Sequence, residues 1–204
     1  MISVIDYGRG NLFSIGQALR HLDRDYRIVD DPKRLNEASQ IILPGVGAFA
    51  DAMQGLDQLG LIEPLQRRAE AGVPIIGICL GMQMLVSNSS EFGIHDGLKL
   101  IPGTVSRLNG GSALRTPNVG WRTLNTKPEH QSLVGSILEP VVYFTHSYFV
   151  TLQDRQHEIS TINFGGAHIA AIIGKDNIVG LQFHPEKSGT VGLKILNSTI
   201  SRLR

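Results

Sequence analysis

The sequence predicts an α/β fold in which a mainly parallel sheet is flanked by helices and carries an added antiparallel strand portion. Up to about residue 85, short apolar and β-branched runs alternate with amphipathic stretches, as in a parallel sheet covered by helices. After Ser87 the pattern changes to short alternating runs separated by turn residues, which indicates antiparallel hairpins. A buried run at 179–183 and an amphipathic stretch at 189–204 then return to the first pattern.

The first half contains four predicted strands. They occupy residues 2–5, 26–29, 40–43 and 73–78, and helical patterns follow at 12–22, 51–59, 61–71 and from residue 80. Asn11 is a plausible N-cap of the first helix. In the second half, residues 91–98 are predicted to form a loop. The short strands that continue to about residue 173 are punctuated by Pro102-Gly103, Asn109-Gly110-Gly111 and Gly165-Gly166.

The only cysteine of the chain stands between the predicted strand 73–78 and the helix that follows it. Gly77 and Gly81 lie two residues before and two residues after Cys79, which is the pattern of a nucleophile elbow with cysteine in place of serine. The glycines let a strained turn pack tightly, and the helix N-terminus favours the thiolate, which is the reactive form. The alternative is that Cys79 is a small buried hydrophobic residue, so a base must be found elsewhere.

A histidine followed by a carboxylate two residues later comes at the end of the predicted strand 179–183. On a strand, His184 and Glu186 would point to the same face, with Pro185 fixing the backbone between them. A carboxylate that holds one ring nitrogen fixes the tautomer and leaves the other nitrogen free as a base. Cys79 and His184 both lie where strands end, and α/β sheets bind ligands there. The three side chains are therefore predicted to form a Cys-His-Glu triad.

His146 is the strongest alternative base. It lies within the apolar run 143–148, where a histidine is more often a hydrogen-bonded core residue than a catalyst, and it has no acid two residues later. His184 is therefore preferred. The histidines at 21, 130 and 157 are predicted to lie on the surface, and the histidine and cysteine spacing predicts no metal site.

Length, charge and cysteine content exclude several classes of function. The 204 residues fit one domain spanning 1–204, and a net charge of +1 provides no basic surface for nucleic acid. A single cysteine excludes an internal disulfide and fits a reducing compartment. No signal peptide is apparent, and no apolar run reaches the roughly 18 residues of a membrane span. We expect a cytoplasmic protein that binds neither nucleic acid nor membrane and uses no cofactor.

Three motifs together resemble the class I, or triad, glutamine amidotransferases. They are GICLGMQ at 77–83, PGVG at 44–47 and HPE at 184–186. The segments IDYGRGN at 5–11 and QFHPEKS at 182–188 narrow the resemblance to the glutaminase subunits of imidazole glycerol phosphate synthase, and it extends essentially from end to end. The resemblance implies the flavodoxin-like fold of that family.

The resemblance also implies a mechanism. Cys79 would attack the side-chain amide carbon of L-glutamine. His184 would take up the thiol proton and deliver a proton to the departing ammonia, and the remaining thioester would then be hydrolysed to glutamate. Backbone N–H groups of Val46, Gly47 and Leu80 would form the oxyanion hole. The other residues that the resemblance assigns to the glutamine site are Gly45, Gln83, Glu91, His146, Ser147 and Tyr148, and those that it assigns to a partner contact are Asn11, Trp121 and Lys187.

Some of these assignments have simpler alternatives. The glycines at 45 and 47 can serve only as a tight turn. Gln83 can be a helix surface residue, Glu91 a loop charge and Trp121 a core residue. These alternatives stay open on sequence alone.

The resemblance implies a separate (β/α)₈ barrel synthase as partner, since nothing in the chain could use the ammonia. The complex would be a heterodimer that makes imidazole glycerol phosphate and AICAR in histidine biosynthesis. Around the tryptophan the family usually has Pro-His-x-Gly-Trp-Asn, whereas this chain has Asn118 in place of the histidine and Arg122 in place of the final asparagine. Both positions flank a partner-facing residue, so a paralogous synthase in another pathway is an alternative. A cysteine hydrolase of another amide and a catalytically silent subunit are further alternatives.

Overall fold

Three sheets form the framework of the computed structural model, which describes residues 1–108, 116–135 and 137–203. The strands are β1 Ile2–Ile5, β2 Tyr26–Val29, β3 Gln40–Gly45, β4 Ile75–Cys79, β5 Val86–Ser89, β6 His95–Asp96, β7 Ile101–Arg107, β8 Asn118–Thr123, β9 Asn125–Thr126, β10 Val141–His146, β11 Tyr148–Leu152, β12 Glu158–Phe164, β13 Ala167–Lys175 and β14 Ile178–Leu181. The α-helices are α1 Leu12–His21, α2 Pro32–Asn36, α3 Phe49–Gln58, α4 Ile62–Glu70, α5 Leu80–Met84, α6 Gln131–Val134 and α7 Gly189–Arg202. Short 3₁₀ turns cover Pro128–His130, Arg155–His157 and Pro185–Lys187.

The largest sheet has the strand order β2-β1-β3-β4-β14-β13-β12-β9. The strands from β2 to β14 pair in parallel, and β13, β12 and β9 add to that edge in antiparallel fashion. A second sheet has the order β11-β7-β5-β6, and β8 and β10 form an antiparallel pair. The predicted α/β fold, mainly parallel with an added antiparallel portion, is confirmed.

The sheet is buried on both faces because successive strand residues pack against different helices. Along β3, Ile41 and Leu43 join the core formed with α3 and α4, whereas Ile42 joins the core formed with α1 and α7. This two-sided burial explains why the parallel strands appear in the sequence as nearly continuous apolar runs. It also places the carboxyl ends of β3, β4 and β14 side by side at one edge of the molecule.

The differences from the sequence prediction lie mostly in short elements. The helices α2 and α6 were not predicted, since each spans barely one turn and has no amphipathic period to detect. Strand β14 ends at Leu181, so residues 182–183 lie beyond it. The predicted turn Asn109-Gly110-Gly111 lies outside the described residues. Within those residues, no helix is long and apolar enough to cross a membrane.

Candidate active site

Cys79 stands at a strained corner between β4 and α5. Its backbone has φ +56° and ψ −109°, a conformation that residues with a side chain adopt only where the surrounding structure enforces it. A Cβ on Gly77 would lie 2.7 Å from the backbone of Gly81, and a Cβ on Gly81 would overlap the carbonyl of Leu43. Both glycines are therefore required for α5 to pack this closely on β3 and β4, as the sequence predicted for a nucleophile elbow.

His184 and Glu186 are in direct contact. The ring Nδ1 of His184 lies 2.8 Å from Oε1 of Glu186, and both side chains are almost fully buried. Strand alternation was expected to bring the two side chains together, but β14 ends at Leu181, before either residue. The 3₁₀ turn Pro185–Lys187 folds the carboxylate back onto the ring, so the expected pair forms by a different local geometry.

The protonation of His184 depends on Cys79 and Glu186. Burial lowers the pKa of His184, but hydrogen bonds to Cys79 and Glu186 and the charges of both groups outweigh burial and raise this pKa to about 10. At neutral pH the site therefore favours an imidazolium between a sulfur and a carboxylate. The structure thus brings together all three residues of the predicted triad.

Tyr7 is a neighbour of the elbow that sequence reasoning missed. Its hydroxyl donates to the carbonyl of Pro44 at 2.9 Å, and burial together with the charge of Cys79 raises the pKa of Tyr7 above its usual range. A Cβ on Gly45 would lie 2.6 Å from this hydroxyl and 2.9 Å from the backbone nitrogen of Gly81. Gly45 is therefore a packing position behind the elbow and does not line the cavity described below, contrary to the expected substrate contact.

Gln182 was also missed as a site residue. Its Nε2 lies 4.0 Å from Sγ of Cys79, and its Oε1 accepts a hydrogen bond from Nε2 of Gln83 at 3.1 Å. The same amide nitrogen of Gln83 donates to the backbone carbonyl of Tyr148 at 3.0 Å. Gln83 is buried, so the alternative that it is a helix surface residue is wrong. A polar residue within the apolar run 179–183 was the signal that could have identified Gln182.

Cys79 and His184 open into one cavity of about 550 Å³. Its walls contain most of the residues expected for substrate, together with three that were not expected there, namely Phe92, Arg107 and Pro117. The full lining is Val46, Gly47, Cys79, Leu80, Gln83, Glu91, Phe92, Arg107, Pro117, Thr145, His146, Ser147, Tyr148, His184 and Lys187. This volume lies in the range of small-molecule sites.

The three expected oxyanion donors differ in availability. Leu80 is the first residue of α5, where an N–H has no partner within the helix. The N–H of Val46 donates to the carbonyl of Arg9 at 3.1 Å, so the expectation that it faces the site is wrong for this conformation. Gly47, with φ +98°, is the turn residue that remains as a donor in the cavity wall.

Glu91 and His146 are both buried in the cavity wall. One carboxylate oxygen of Glu91 accepts from the N–H of Phe49 at 2.7 Å, which anchors the loop to the start of α3. Glu91 is therefore more than an exposed loop charge. His146 bonds the carbonyl of Tyr148 and the amide of Asn118. Burial lowers the pKa of His146 to about 4, so it is a neutral wall residue and not a rival base.

Three residues were expected at a partner contact, namely Asn11, Trp121 and Lys187. Trp121 is 54% exposed and packs edge-on against Tyr143, with ring centroids 5.8 Å apart, which excludes the core alternative. Lys187 is exposed beside the cavity. The side chain of Asn11 caps α1 by accepting from the N–H of Ser14 at 3.2 Å, as predicted from sequence.

The fold and this site define a class of protein. The chain belongs to the family described as glutamine amidotransferase class-I, whose model matches residues 3–201. The resemblance found in the sequence motifs is thereby confirmed.

Within this family, the chain is similar to subunits of one enzyme complex. The chain is 44% identical to the "Imidazole glycerol phosphate synthase subunit HisH" of a Geobacillus species, covering 98% of this chain and 96% of the relative. It is 40% identical to "Imidazole glycerol phosphate synthase subunit HisH 1" of Legionella pneumophila, covering 96% of both chains. Among solved structures, a crystal structure titled as a glutamine amidotransferase superposes with a TM-score of 0.77 at 15% identity and covers 99% of this chain and 98% of that chain. At that identity it supports the fold alone.

Proposed function

We propose that this chain is the glutaminase subunit of an imidazole glycerol phosphate synthase in the cytoplasm, acting as one domain over its whole length. It hydrolyses L-glutamine to glutamate and ammonia and passes the ammonia to a separate (β/α)₈ barrel subunit. The observation that carries the proposal is that Cys79 and His184 line one cavity, while Glu186 holds the His184 ring from the side away from it. The identity of 40–44% to synthase subunits, which extends over nearly the full length of the chain, supports this choice of pathway.

The mechanism follows from the placement of these groups. The sulfur of Cys79 attacks the amide carbon of glutamine and forms a tetrahedral oxyanion, which N–H groups of Leu80 and Gly47 stabilise. His184, held by Glu186, gives its proton to the leaving nitrogen, so that ammonia departs and a thioester remains. A water molecule, deprotonated by His184, then attacks the thioester and releases glutamate.

The cavity wall carries charges that complement the free amino acid. Glu91 is suited to the α-ammonium group, and Arg107 on β7 is suited to the α-carboxylate. Gln83 is held rigidly by two hydrogen bonds and is suited to the remaining polar contacts. Opposite charges on the cavity wall favour a zwitterionic amino acid over a peptide amide, which supports glutamine over a general cysteine hydrolase.

The test is glutamate release from L-glutamine by the purified chain, alone and with the barrel synthase of histidine biosynthesis and its acceptor ligand. We expect a low rate for the isolated chain and a strong increase in the complex. Cys79→Ala should reduce the rate by about 10³-fold or more, since it removes the nucleophile.

Two outcomes would contradict the proposal in different ways. Stimulation only by a paralogous barrel synthase would assign the same glutaminase chemistry to another pathway. Activity that survives Cys79→Ala would contradict the triad mechanism. Glutamine turnover that no partner affects would contradict the assignment as a subunit.

A further inference from the structure

Asn118 and Arg122 depart from the usual family pattern but do not lie on the face that presents Trp121. Along β8, exposed residues alternate with buried ones: Val119, Trp121 and Thr123 point outward, whereas Asn118 is fully buried and Arg122 is half-buried. The two departures therefore lie on the opposite face of β8 from Trp121. Strand alternation directs both side chains inward, and Asn118 pairs with His146 on β10.

The hydrogen bonds along this inward face have only one consistent direction. Arg122 Nε, which can only donate, lies 3.1 Å from Oδ1 of Asn118. This contact fixes the amide, so Nδ2 of Asn118 faces Nε2 of His146 at 2.9 Å. The carbonyl of Tyr148, which can only accept, lies 2.7 Å from Nδ1 of His146. His146 must therefore carry its proton on Nδ1 and accept at Nε2.

A protonated His146 would conflict with these neighbours. Its Nε2–H would meet the amide hydrogens of Asn118, and turning the amide over would place those hydrogens against Arg122. The positively charged His184 also acts on the ring, and the guanidinium of Arg122 is held by the ring of Phe164 at 5.8 Å. The carbonyl of Tyr148 alone favours the charged ring, and burial, the Asn118 amide and His184 outweigh it and disfavour a second imidazolium in the cavity.

The position of His146 also affects groups close to the nucleophile. The carbonyl of Tyr148 accepts from both His146 and Gln83, and Gln83 in turn holds Gln182 beside Cys79. A change of the His146 ring would therefore disturb the carbonyl on which the Gln83 amide depends. Buried polar networks of this kind act as a unit because each member fixes the next.

We propose that Asn118 and Arg122 are positioning residues that lock His146 of the cavity in its neutral Nδ1–H tautomer, with Arg122 setting the orientation of the Asn118 amide. The inference rests on the proposed function only in assigning this cavity to glutamine. It concerns the wall of the site and assigns no proton-transfer step to His146.

The test is ¹⁵N NMR of histidine-labelled full-length chain, with the His146 signal assigned through His146→Gln. In the wild type we expect a protonated Nδ1 and an unprotonated Nε2 from neutral pH down to below pH 5. Asn118→Asp places a carboxylate in the same space, so Nε2 should become protonated and the pKa of His146 should rise from about 4 to about 6.5 or above. The control is Asn125→Asp, an equal change at an exposed position, which should leave the His146 signals unchanged.

Arg122→Met supplies a second variant for the case in which Asn118→Asp does not fold. It keeps an apolar chain against Phe164 but frees the Asn118 amide, so mixed tautomers or a higher pKa of His146 are expected. The corresponding loss in glutaminase kcat/KM of the synthase complex should be about tenfold for either variant. An Nε2–H tautomer in the wild type, or wild-type titration in both variants, would overturn the proposal. Failure of glutamine turnover in the wild type would instead contradict the proposed function and leave the NMR result standing.

Discussion

At the scale of single residues, the contact between His184 and Glu186 makes the sharpest prediction. Glu186→Gln keeps the shape of the side chain but removes the charge that helps to raise the pKa of His184. We expect this pKa to fall below about 10 and glutamine turnover to drop by about 10² to 10⁴-fold, because the imidazole loses its orienting carboxylate. Rate measurements between pH 6 and 10, together with histidine NMR, check both parts.

The matched control for that variant is Glu129→Gln, which removes the same charge from an exposed 3₁₀ turn. It should leave both the rate and the pH profile unchanged. A Glu186→Gln enzyme with a wild-type pH profile would show that Glu186 does not act on His184.

His146 predicts how stability depends on pH. Its pKa is lowered to about 4 in the folded chain but is about 6.5 when unfolded, so the unfolded state binds more protons between these values. The free energy of unfolding should therefore fall as pH drops from 6.5 towards 4, with His146 contributing up to about 1.4 kcal/mol per pH unit.

Urea unfolding of the wild type and of His146→Gln at several pH values measures this contribution. Glutamine can still donate to Tyr148 and accept from Asn118, so the variant should fold. Its stability should depend less steeply on pH in this window. Parallel pH dependences for the two proteins would contradict the lowered pKa.

At the scale of secondary structure elements, the close packing of α5 on β3 and β4 at the elbow depends on the absence of a side chain at Gly81. Gly81→Ala forces α5 away from the carbonyl of Leu43, and overpacking of this kind should cost about 3 kcal/mol or more. Gly72→Ala is the control, because Gly72 has φ +79° but open space around it, so only the backbone penalty of about 1–2 kcal/mol applies. Similar losses for both variants by urea unfolding would show that crowding at the elbow is unimportant.

The elements also show what the sequence could and could not predict. Long buried strands and the elbow were predictable, because apolar runs and flanking glycines are local signals. The pairing of His184 with Glu186 was predicted for the wrong reason, since the end of β14 depends on its neighbours β4 and β13. Arg107 and Phe92 had no signal at all, because only the packing of the second sheet brings the end of β7 and the loop after β5 to the cavity. The hydrogen bond from the N–H of Val46 to the carbonyl of Arg9 also had no sequence signal, because it joins two segments that are distant in the chain.

At the scale of the whole molecule, the elbow, the 3₁₀ turn and the β8–β10 pair converge on one edge. The carboxyl ends of the parallel strands supply Cys79 and His184, and the antiparallel portion supplies the opposite wall with His146. Trp121 stands on the outer face of that wall, on the same strand as the buried Asn118. In the proposed complex, this arrangement would place the partner on the outer face of the wall that encloses the nucleophile.

This arrangement predicts that Trp121 anchors the barrel partner in the proposed complex. Its large ring is more than half exposed and packs edge-on against Tyr143, and tryptophan is enriched among the residues that dominate interface energies. Trp121→Ala should weaken binding to the barrel synthase by at least about 30-fold, or about 2 kcal/mol, and should abolish stimulation of the glutaminase, without changing the urea midpoint. Leu138→Ala is the control, since Leu138 is 98% exposed and precedes the far end of β10. Calorimetric titration of the synthase into each variant measures the difference, and equal affinities for the two variants would place the partner on another surface.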